Sequence, residues 1–417
     1  MAATAAHLVD RVLPRVPVRQ WVLSLPIRLR YCIAFDRELG RRVRNLFVRA
    51  VLGSIRRRAL KAGVRYPEVG AVTAVQRFGS ALNLNVHFHT LALDGVFQSD
   101  LRGGLEFVAL DAPVEAELAR LLTSIRSRVH SLLRRRGLLV EQVDESDTRG
   151  PLNSPSLAAC TAASLVHRVA LGPSSGQPIL RRRRRERAMP CTVPKEACVA
   201  LDGFSLHANV RVAARDRGRL ERLCRYIVRP PVSDARLALT EEGWIELELK
   251  TPYRDGTSHF VFDPMTFLER LAALVPPPRA HLVVYHGVLA SAAAIRRDIV
   301  QREQIEAFPS EDFIREAAAS ASAPRSDRAA TQSPMRSRNY TWAELMKRVF
   351  LTEVLRCECG GSRRLIATIT EATTVARILR CLGLLESSPA RGPPEAVLGA
   401  SRPPPASHSR ETRLVLE

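Results

Sequence analysis

Hydrophobic residues recur at helical spacing in two long segments of the chain. Residues 36–62 carry one apolar stripe, with Asp36 as a candidate N-cap and Gly63 as the end of the helix. Residues 113–136 carry another stripe, and Gly137 ends it. We therefore predict two long amphipathic helices. Their expected buried positions are Val43, Leu46, Phe47, Val51, Leu118, Leu121, Ile125, Val129 and Leu132.

Other segments show strand patterns, either alternation of apolar and polar residues or short apolar runs bounded by turn residues. Gly79-Ser80 and Asp255-Gly256 are expected to turn the chain between strands. A further helix, residues 216–229, is expected to stop at Pro230-Pro231. The predicted strands are residues 21–26, 71–78, 83–93, 204–212, 244–250, 260–262 and 281–290.

The same patterns divide the chain into regions. Residues 1–299 read as one core, in which about 140–200 lack periodicity and are expected to be an insertion or linker. The basic run 181–185 in that segment either contacts a DNA backbone or is a solvated loop. Residues 300–338 are expected to form a linker and 339–385 a small module. The Pro/Ser-rich remainder, 386–417, is expected to be disordered.

Charge narrows the choice of partner. The formal net charge is +21 and the pI is about 10.8, which favours a polyanion such as nucleic acid. The chain has four lysines, Lys61, Lys195, Lys250 and Lys347. Codon bias can therefore explain why arginine outnumbers lysine, but not why basic residues outnumber acidic ones.

Membrane and secretory signals are missing from the sequence. No segment approaches the ~20 apolar residues of a membrane span, and the N-terminus lacks a signal-peptide pattern. The eight cysteines follow no disulfide-framework spacing. We expect a cytoplasmic protein that does not bind membranes and, because of its positive charge, is nucleoid-associated.

The segment 83–90 carries the clearest candidate site. In a strand, side chains alternate between two faces, so Asn83, Asn85, His87 and His89 share the polar face. The two histidines are ~7 Å apart at Cα by strand rise, close enough to share one metal ion. The asparagines beside them suit contacts to nucleotides.

A metal site needs further ligands. If Gly79-Ser80 closes a hairpin, Gln76 lies near Asn85 and His87, and its carbonyl oxygen can be the third ligand. His207 is the rival, on a strand with the same polar/apolar split. For each of these two residues the alternative is a structural hydrogen bond. Asp94, just after the histidine strand, is expected to be a turn residue.

The helix at 216–229 carries a candidate nucleophile. Leu220, Leu223, Cys224 and Ile227 make its buried stripe, and Tyr226 lies off that stripe. A phenol among guanidiniums suits phosphoryl transfer, since arginine holds phosphate by charge-assisted hydrogen bonds. The alternative is an interfacial tyrosine that packs its ring. The arginines expected to contact DNA here are Arg219, Arg222, Arg225 and Arg229.

A cysteine pair near the C-terminus resembles half of a zinc knuckle. Cys357 and Cys359 are one residue closer than the usual C-x-x-C, and Cys381 is the one later candidate ligand. We therefore expect a degenerate zinc-ribbon-like module without bound zinc.

Several motifs together resemble the insertion-sequence-91 family of transposases, which belongs to the histidine-hydrophobic-histidine endonuclease superfamily. The resemblance covers most of residues 1–300 and returns near residue 360. The motifs are Gln76-Arg77-Phe78-Gly79, Leu82-Asn83-Leu84-Asn85-Val86-His87-Phe88-His89, Leu93-Asp94-Gly95-Val96-Phe97, Gly203-Phe204-Ser205-Leu206-His207-Ala208-Asn209, Cys224-Arg225-Tyr226-Ile227-Val228-Arg229-Pro230-Pro231, Leu249-Lys250-Thr251-Pro252-Tyr253-Arg254-Asp255-Gly256-Thr257, Tyr285-His286-Gly287-Val288-Leu289-Ala290, and Cys359-Gly360-Gly361 with Leu365-Ile366-Ala367.

The resemblance implies both a fold and a reaction. The fold is α+β, with a central antiparallel sheet that carries His87 and His89 and a helix that carries Tyr226 packed across it. The histidines are expected to bind Mg²⁺ or Mn²⁺, and Tyr226 to cut single-stranded DNA at transposon ends and targets. The product is a 5′-phosphotyrosine and a 3′-hydroxyl, the first step of rolling-circle transposition.

Departures from the family pattern leave alternatives open. Many members carry a second tyrosine four residues before the first, where this chain has Arg222. The usual N-terminal zinc-binding segment is missing, so we expect an N-terminally truncated copy. The alternatives are a replication initiator or relaxase, a catalytically inactive DNA-binding remnant, and a metallohydrolase.

Overall fold

A computed structural model of the chain describes residues 1–99, 104–138, 154–183, 198–301, 340–357, 359–364 and 369–383. These residues form two compact units. The described residues up to 301 belong to the first unit, and those from 340 onwards belong to the second. None of the described helices combines the length and apolar character needed to cross a membrane.

The first unit contains thirteen strands and eight helices among its described residues. The strands are β1 Val18–Ser24, β2 Gly70–Phe78, β3 Leu84–Leu93, β4 Gly95–Ser99, β5 Leu105–Ala109, β6 Leu180–Arg183, β7 Cys198–Leu201, β8 Phe204–His207, β9 Arg211–Val212, β10 Leu237–Leu239, β11 Ile245–Glu248, β12 Thr257–Phe262 and β13 Val283–Gly287. The helices are α1 Ala2–Arg11, α2 Ile27–Phe35, α3 Arg37–Lys61, α4 Glu115–Arg135, α5 Pro155–Leu165, α6 Arg217–Ile227, α7 Pro264–Leu274 and α8 Arg296–Gln301.

A central antiparallel sheet organises this unit. Its strand order is β13-β2-β3-β1-β8-β7, and β9 also pairs with β1. Flanking helices cover both faces, so the predicted α+β class with a central antiparallel sheet is confirmed. The strand predicted over 204–212 is present in two parts, β8 and β9.

Helices α3 and α4 cover one face of the sheet. The Asp36 side chain accepts a hydrogen bond from the Leu39 backbone N–H at 2.8 Å and caps α3. Gly63 follows the helix with φ +88°, a conformation that favours glycine. Val43, Phe47 and Val51 are fully buried, as is the predicted stripe of α4. Both long helices were therefore predicted correctly.

Helices α1 and α6 pack against each other and lie over the other face of the sheet. Ala5, Leu8 and Val9 of α1 share a hydrophobic cluster with Leu220, Cys224 and Ile227 of α6. Val72, Ala74, Leu91 and Leu93 complete that cluster from β2 and β3. The sequence analysis did not predict α1, which precedes the first predicted strand.

The segment expected to be an insertion or linker over 140–200 contains regular structure in its described parts. Helix α5 packs against α7, and β6 pairs with β12 in a second, four-stranded sheet of order β10-β11-β12-β6. Arg181, Arg182 and Arg183 of the basic run therefore lie in a strand rather than in a loop. Residues 139–153 and 184–197 lie outside the described residues.

The second unit contains two helices, α9 Trp342–Phe350 and α10 Ala372–Cys381, among its described residues. A reciprocal capping box between Thr341 and Glu344 begins α9. The turn at 357–361 is closed by hydrogen bonds between Cys357 and both Gly360 and Gly361. The predicted linker beyond residue 301 and the tail at 386–417 lie outside the described residues.

Candidate active site

The two histidines of β3 lie side by side on the face that α6 covers. Their ring centroids are 4.8 Å apart. Phe88, between them in sequence, points to the opposite face and stacks on Phe47 of α3 at 6.3 Å. The predicted division of β3 into a polar and an apolar face is therefore confirmed, although the polar face is covered: His89 is only 3% exposed.

Each histidine ring is held through its Nδ1 atom. In His87, Nδ1 lies 2.7 Å from the backbone oxygen of Asn85, so the ring donates there and its Nε2 carries the lone pair. In His89, Nδ1 lies 2.8 Å from Nε2 of Gln20. The Nε2 atom of His89 is buried and has no hydrogen-bond partner among the described residues. A buried nitrogen without a partner is costly unless something else binds it.

Both imidazoles are kept neutral. Burial, together with the positive charges of Arg30 and Arg229, lowers the pKa of His87. Burial, followed by the neighbouring His87 and by Arg229, lowers the pKa of His89 to about 3. Neutral imidazole is the form that binds a metal ion.

Gln20 of β1 was not predicted as a site residue. It is 5% exposed and contacts His89 from the neighbouring strand. When its amide N–H donates to Nδ1, the neutral ring keeps its proton on Nε2. Turning the amide by 180° places the oxygen against Nδ1–H and leaves the Nε2 lone pair open. The orientation of the Gln20 amide and the tautomer of His89 are therefore coupled. Alternation in β1 places Gln20 and Trp21 on opposite faces, and that signal could have found it.

Gln76 lies opposite His87 in the β2–β3 pair, as the hairpin prediction required. Its amide nitrogen donates to the backbone oxygens of Tyr226 and Ile227, each at 2.9 Å. These bonds satisfy two carbonyl groups at the end of α6 and fix that helix to the histidine hairpin. The carbonyl oxygen of Gln76 accepts no hydrogen bond from the described residues, so it remains the candidate third ligand.

Tyr226 closes the site from α6. Its ring meets the His89 ring edge-on, with centroids 5.8 Å apart. The Arg229 guanidinium lies 4.6 Å from the centroid of the tyrosine ring, in cation–π geometry. The side chain is 40% exposed, so its hydroxyl can be reached by a ligand from solvent.

The predicted arginines are not equivalent. Arg229 lies against Tyr226, whereas Arg219 and Arg222 are exposed on α6. Arg225 pairs with Glu221 at 3.9 Å. The sequence analysis missed Arg30 of α2, whose Nε donates to the Leu25 backbone oxygen at 2.6 Å and whose charge acts on His87. Arg30 and Arg229 therefore supply positive charge close to the histidines.

The predicted asparagines lie at the turn end of the β2–β3 hairpin. The Asn83 side chain lies over Gly79, where an added Cβ would come within 2.2 Å of its amide oxygen. A side chain at position 79 would therefore have to displace the Asn83 amide. The Oδ1 atom of Asn85 is buried and without a partner among the described residues. Contact of either side chain with DNA stays a prediction.

Two other predicted residues have structural partners. His207 lies opposite Val22 of β1, which pairs with His89 on its other side, so one whole strand separates the two histidines. It contacts the Cys198 sulfur at 3.5 Å. Asp94 does lie between β3 and β4, where a turn was expected. It is also buried and pairs with Arg19 at 2.7 Å and Arg211 at 2.8 Å.

The donor set fits a divalent cation. Nε2 of His87, Nε2 of His89 and the oxygen of Gln76 are nitrogen and oxygen donors on adjacent strand positions, and one of them is a buried atom without a partner. Within the described part of the chain, no cluster of three or more His, Cys, Asp or Glu is arranged to hold a metal. Among the described residues, Gln76 is therefore the candidate third ligand that lies opposite His87.

Comparison with known proteins identifies the family of the chain. A family model described as "Putative transposase" matches residues 70–297, which include the histidine hairpin and the tyrosine helix. No curated protein and no solved structure matches the chain. Because the family model covers more than half of the sequence, the chain belongs to this transposase family.

Proposed function

We propose that this transposase cuts single-stranded DNA through Tyr226 and forms a covalent protein–DNA intermediate, as in rolling-circle transposition of the insertion-sequence-91 type. One observation carries the proposal. The ring of an accessible tyrosine lies 5.8 Å from a buried histidine, which in turn lies 4.8 Å from a second histidine. A nucleophile beside a pair of neutral nitrogen donors suits phosphoryl transfer.

The reaction assigns one task to each group. The Tyr226 hydroxyl attacks the phosphorus of the scissile phosphate and loses its proton to solvent. As the new O–P bond forms, the bond from phosphorus to the 3′ oxygen breaks, and that oxygen takes up a proton to become a hydroxyl. The DNA 5′ phosphate is left as an ester of Tyr226.

The surrounding residues hold the phosphate in place. Arg229, over the Tyr226 ring, can donate to a phosphate oxygen, and Arg30 adds charge near His87. His87, His89 and the Gln76 oxygen would hold Mg²⁺ or Mn²⁺, which when bound polarises the scissile phosphate as a Lewis acid. Gln76 also keeps the tyrosine helix against the hairpin, so nucleophile and ligands keep one geometry.

A covalent-trapping experiment tests the proposal. The full chain is incubated with labelled single-stranded DNA and Mn²⁺, and the products are separated on a denaturing gel. We expect a DNA-linked protein band that disappears in Tyr226→Phe. The matched control is Tyr66→Phe, at a tyrosine that is 80% exposed and outside the site.

The outcomes separate the competing functions. A band that persists in Tyr226→Phe would remove Tyr226 as the nucleophile. Cleavage without any band indicates water as nucleophile and a metallohydrolase. If the unaltered chain and Tyr226→Phe both bind DNA, and neither cleaves it or forms the band, the protein is an inactive DNA-binding remnant.

A further inference from the structure

Helices α3 and α4 form a basic groove on the face of the sheet away from the histidines. The groove has a volume of about 290 Å³ and runs between the two helices. Helix α3 packs through Phe47 on Phe88, whose side chain points away from His87 and His89. We use the name basic groove for the six cations that line it, Arg49, Arg57, Arg58, Lys61, Arg120 and Arg128.

Very little negative charge balances this groove. Among its lining residues the one carboxylate is Glu117, which lies 3.6 Å from Arg58 and accepts a hydrogen bond from Ser54. Arg49, Arg57, Arg120 and Arg128 are exposed, and none forms an ion pair with the described residues. Several like charges held close together on rigid helices repel one another, so the groove favours a polyanionic ligand.

The charged surface extends beyond the basic groove. A second groove of about 240 Å³ continues along the same helices and is lined by Arg41, Arg42, Arg49 and Arg135. Arg41 and Arg42 share one carboxylate, that of Glu38, at 2.7 Å and 2.8 Å, so this groove also has more cations than anions. Arg42 and Lys61 are separated by roughly 28 Å at the rise of an α-helix. That length is close to one turn of duplex DNA, about 34 Å. Both helices are anchored by buried stripes, so the cations keep their spacing without a ligand.

The chemistry of the lining favours phosphate over bases. Most of the side chains that line the two grooves are cationic, the other polar ones are Ser54, Glu117, Ser124 and Asn45, and no aromatic side chain lines either groove. Sites for single-stranded nucleic acid generally stack bases on aromatic rings, whereas duplex backbones are held by charge alone. A pair of cationic helices without aromatic side chains is therefore better suited to a duplex.

We propose that the basic groove binds the phosphate backbone of double-stranded DNA, as a second nucleic-acid surface separate from the tyrosine site. The two surfaces lie on opposite faces of one sheet. One molecule can then hold a duplex on the α3–α4 side while a single strand occupies the histidine side. This inference does not require Tyr226 to be a nucleophile.

A salt-dependent binding measurement tests it. The full chain is titrated into a fluorescent 20-base-pair duplex over a range of NaCl concentrations, and Kd is read from anisotropy. In Arg57→Ala/Arg120→Ala/Arg128→Ala we expect duplex binding at 0.1 M salt to weaken by at least about 10-fold. The slope of log K against log salt should also become shallower by about 2.7, or 0.9 for each phosphate contact. The adduct with single-stranded DNA should persist.

The control removes the same charge elsewhere. Lys250→Ala/Arg254→Ala/Arg297→Ala replaces three exposed cations outside the basic groove. An equal loss of duplex binding in this control would overturn the proposal, because net charge alone would then explain it. An unchanged slope of log K against log salt in the groove variant would also overturn the proposal. So would a loss of single-strand binding as large as the loss of duplex binding. If the alanine variant melts early, Arg57→Gln/Arg120→Gln/Arg128→Gln takes its place under the same criteria.

Discussion

The two faces of β3 are both covered by helices, but they bury different chemistry. Under α3 the strand contributes Phe88 to a stacked aromatic contact with Phe47. Under α6 it contributes His89, whose Nε2 is buried without a partner. The first face gains stability from packing, whereas the second keeps a polar atom unpaired. Burial alone therefore does not identify an apolar core position, because His89 is almost as buried as Phe88 yet leaves a polar atom unpaired.

His286 shows that a buried nitrogen without a partner is not confined to the α6 face. It lies in β13, pairs with Ala71 of β2 and is on the side of the sheet that α3 covers. Its Nε2 is also buried without a partner among the described residues. No second histidine, tyrosine or amide accompanies it in the contacts described. What distinguishes the α6 face is therefore the grouping of two histidines, a tyrosine and two glutamines, rather than any single buried nitrogen.

The largest expected effect comes from His89→Ala. Adduct formation should fall by about 100-fold or more, because Lewis-acid stabilisation of the phosphate contributes several kcal/mol. The free energy of unfolding should change by less than about 1 kcal/mol, since removal of an unpaired buried nitrogen offsets the lost packing. Trapping gels and urea denaturation measure the two quantities. His281→Ala, at an exposed histidine, is the control. Unaltered adduct yield in His89→Ala would exclude a role for this ring.

Phe88→Ala, one residue away, should give the opposite result. Its side chain is 1% exposed, so truncation should lower the free energy of unfolding by about 3–5 kcal/mol through lost burial and a cavity. Urea denaturation measures this loss. The fraction that remains folded should still form the adduct. A loss below about 1 kcal/mol would mean that the α3 face is not the main packed face.

Substitution of Gln20 should act on metal affinity. Leucine cannot orient the His89 ring, so Gln20→Leu should weaken Mn²⁺ binding by about 10- to 100-fold. Gln20→Glu should restore or tighten it, because a carboxylate accepts only from Nδ1–H and leaves Nε2 open. Each substitution is made in the Tyr226→Phe protein, and calorimetry without DNA measures its affinity for Mn²⁺. Gln98→Leu, in the β4–β5 hairpin, is the control. Equal affinities in all four proteins would show that Gln20 does not set the tautomer.

The smallest expected effect is on pH dependence. Burial, followed by the charge of Arg44, lowers the pKa of His286 to about 4, against 6.5 in the unfolded chain. The unfolded chain then binds more protons between those values, so the stability from the neutral ring is complete above pH 6.5 and is lost as pH falls toward 4. His286 is partly exposed, so the loss at pH 5 should be only roughly 1 kcal/mol.

The control for this prediction is His286→Gln. This variant should lose less stability than the unaltered chain between pH 7 and pH 5, as measured by urea denaturation at each pH. Equal slopes in the two proteins would show that His286 ionises as freely in the folded state as in the unfolded chain.

The sequence was most informative where one periodicity dominates. The stripes of α3 and α4 and the alternation of β3 follow directly from spacing, and they correctly predicted which residues face each side. The approach of Gln76 to His87 also followed, because a hairpin fixes its own register. Family membership agrees with the resemblance to transposases.

What sequence spacing could not predict depends on long-range pairing. Gln20 reaches His89 only because β1 pairs with β3, and 69 positions separate the two residues. Helix α1 was missed because its small residues, Ala5 and Ala6, bury little apolar area of their own. The two bonds from Gln76 to the end of α6 join residues 150 and 151 positions apart. No local pattern records such contacts.

The packing of α1 against α6 has a consequence for how this protein is made. The two helices are separated by more than 200 residues, yet each covers the apolar side of the other. During translation, α1 therefore leaves the ribosome long before α6 does. Until α6 has been made, α6 cannot cover the apolar side of α1. Helix α6 ends at Ile227, so Tyr226 cannot reach His89 before that residue has been translated, and under the proposed function a shorter nascent chain would not cut DNA.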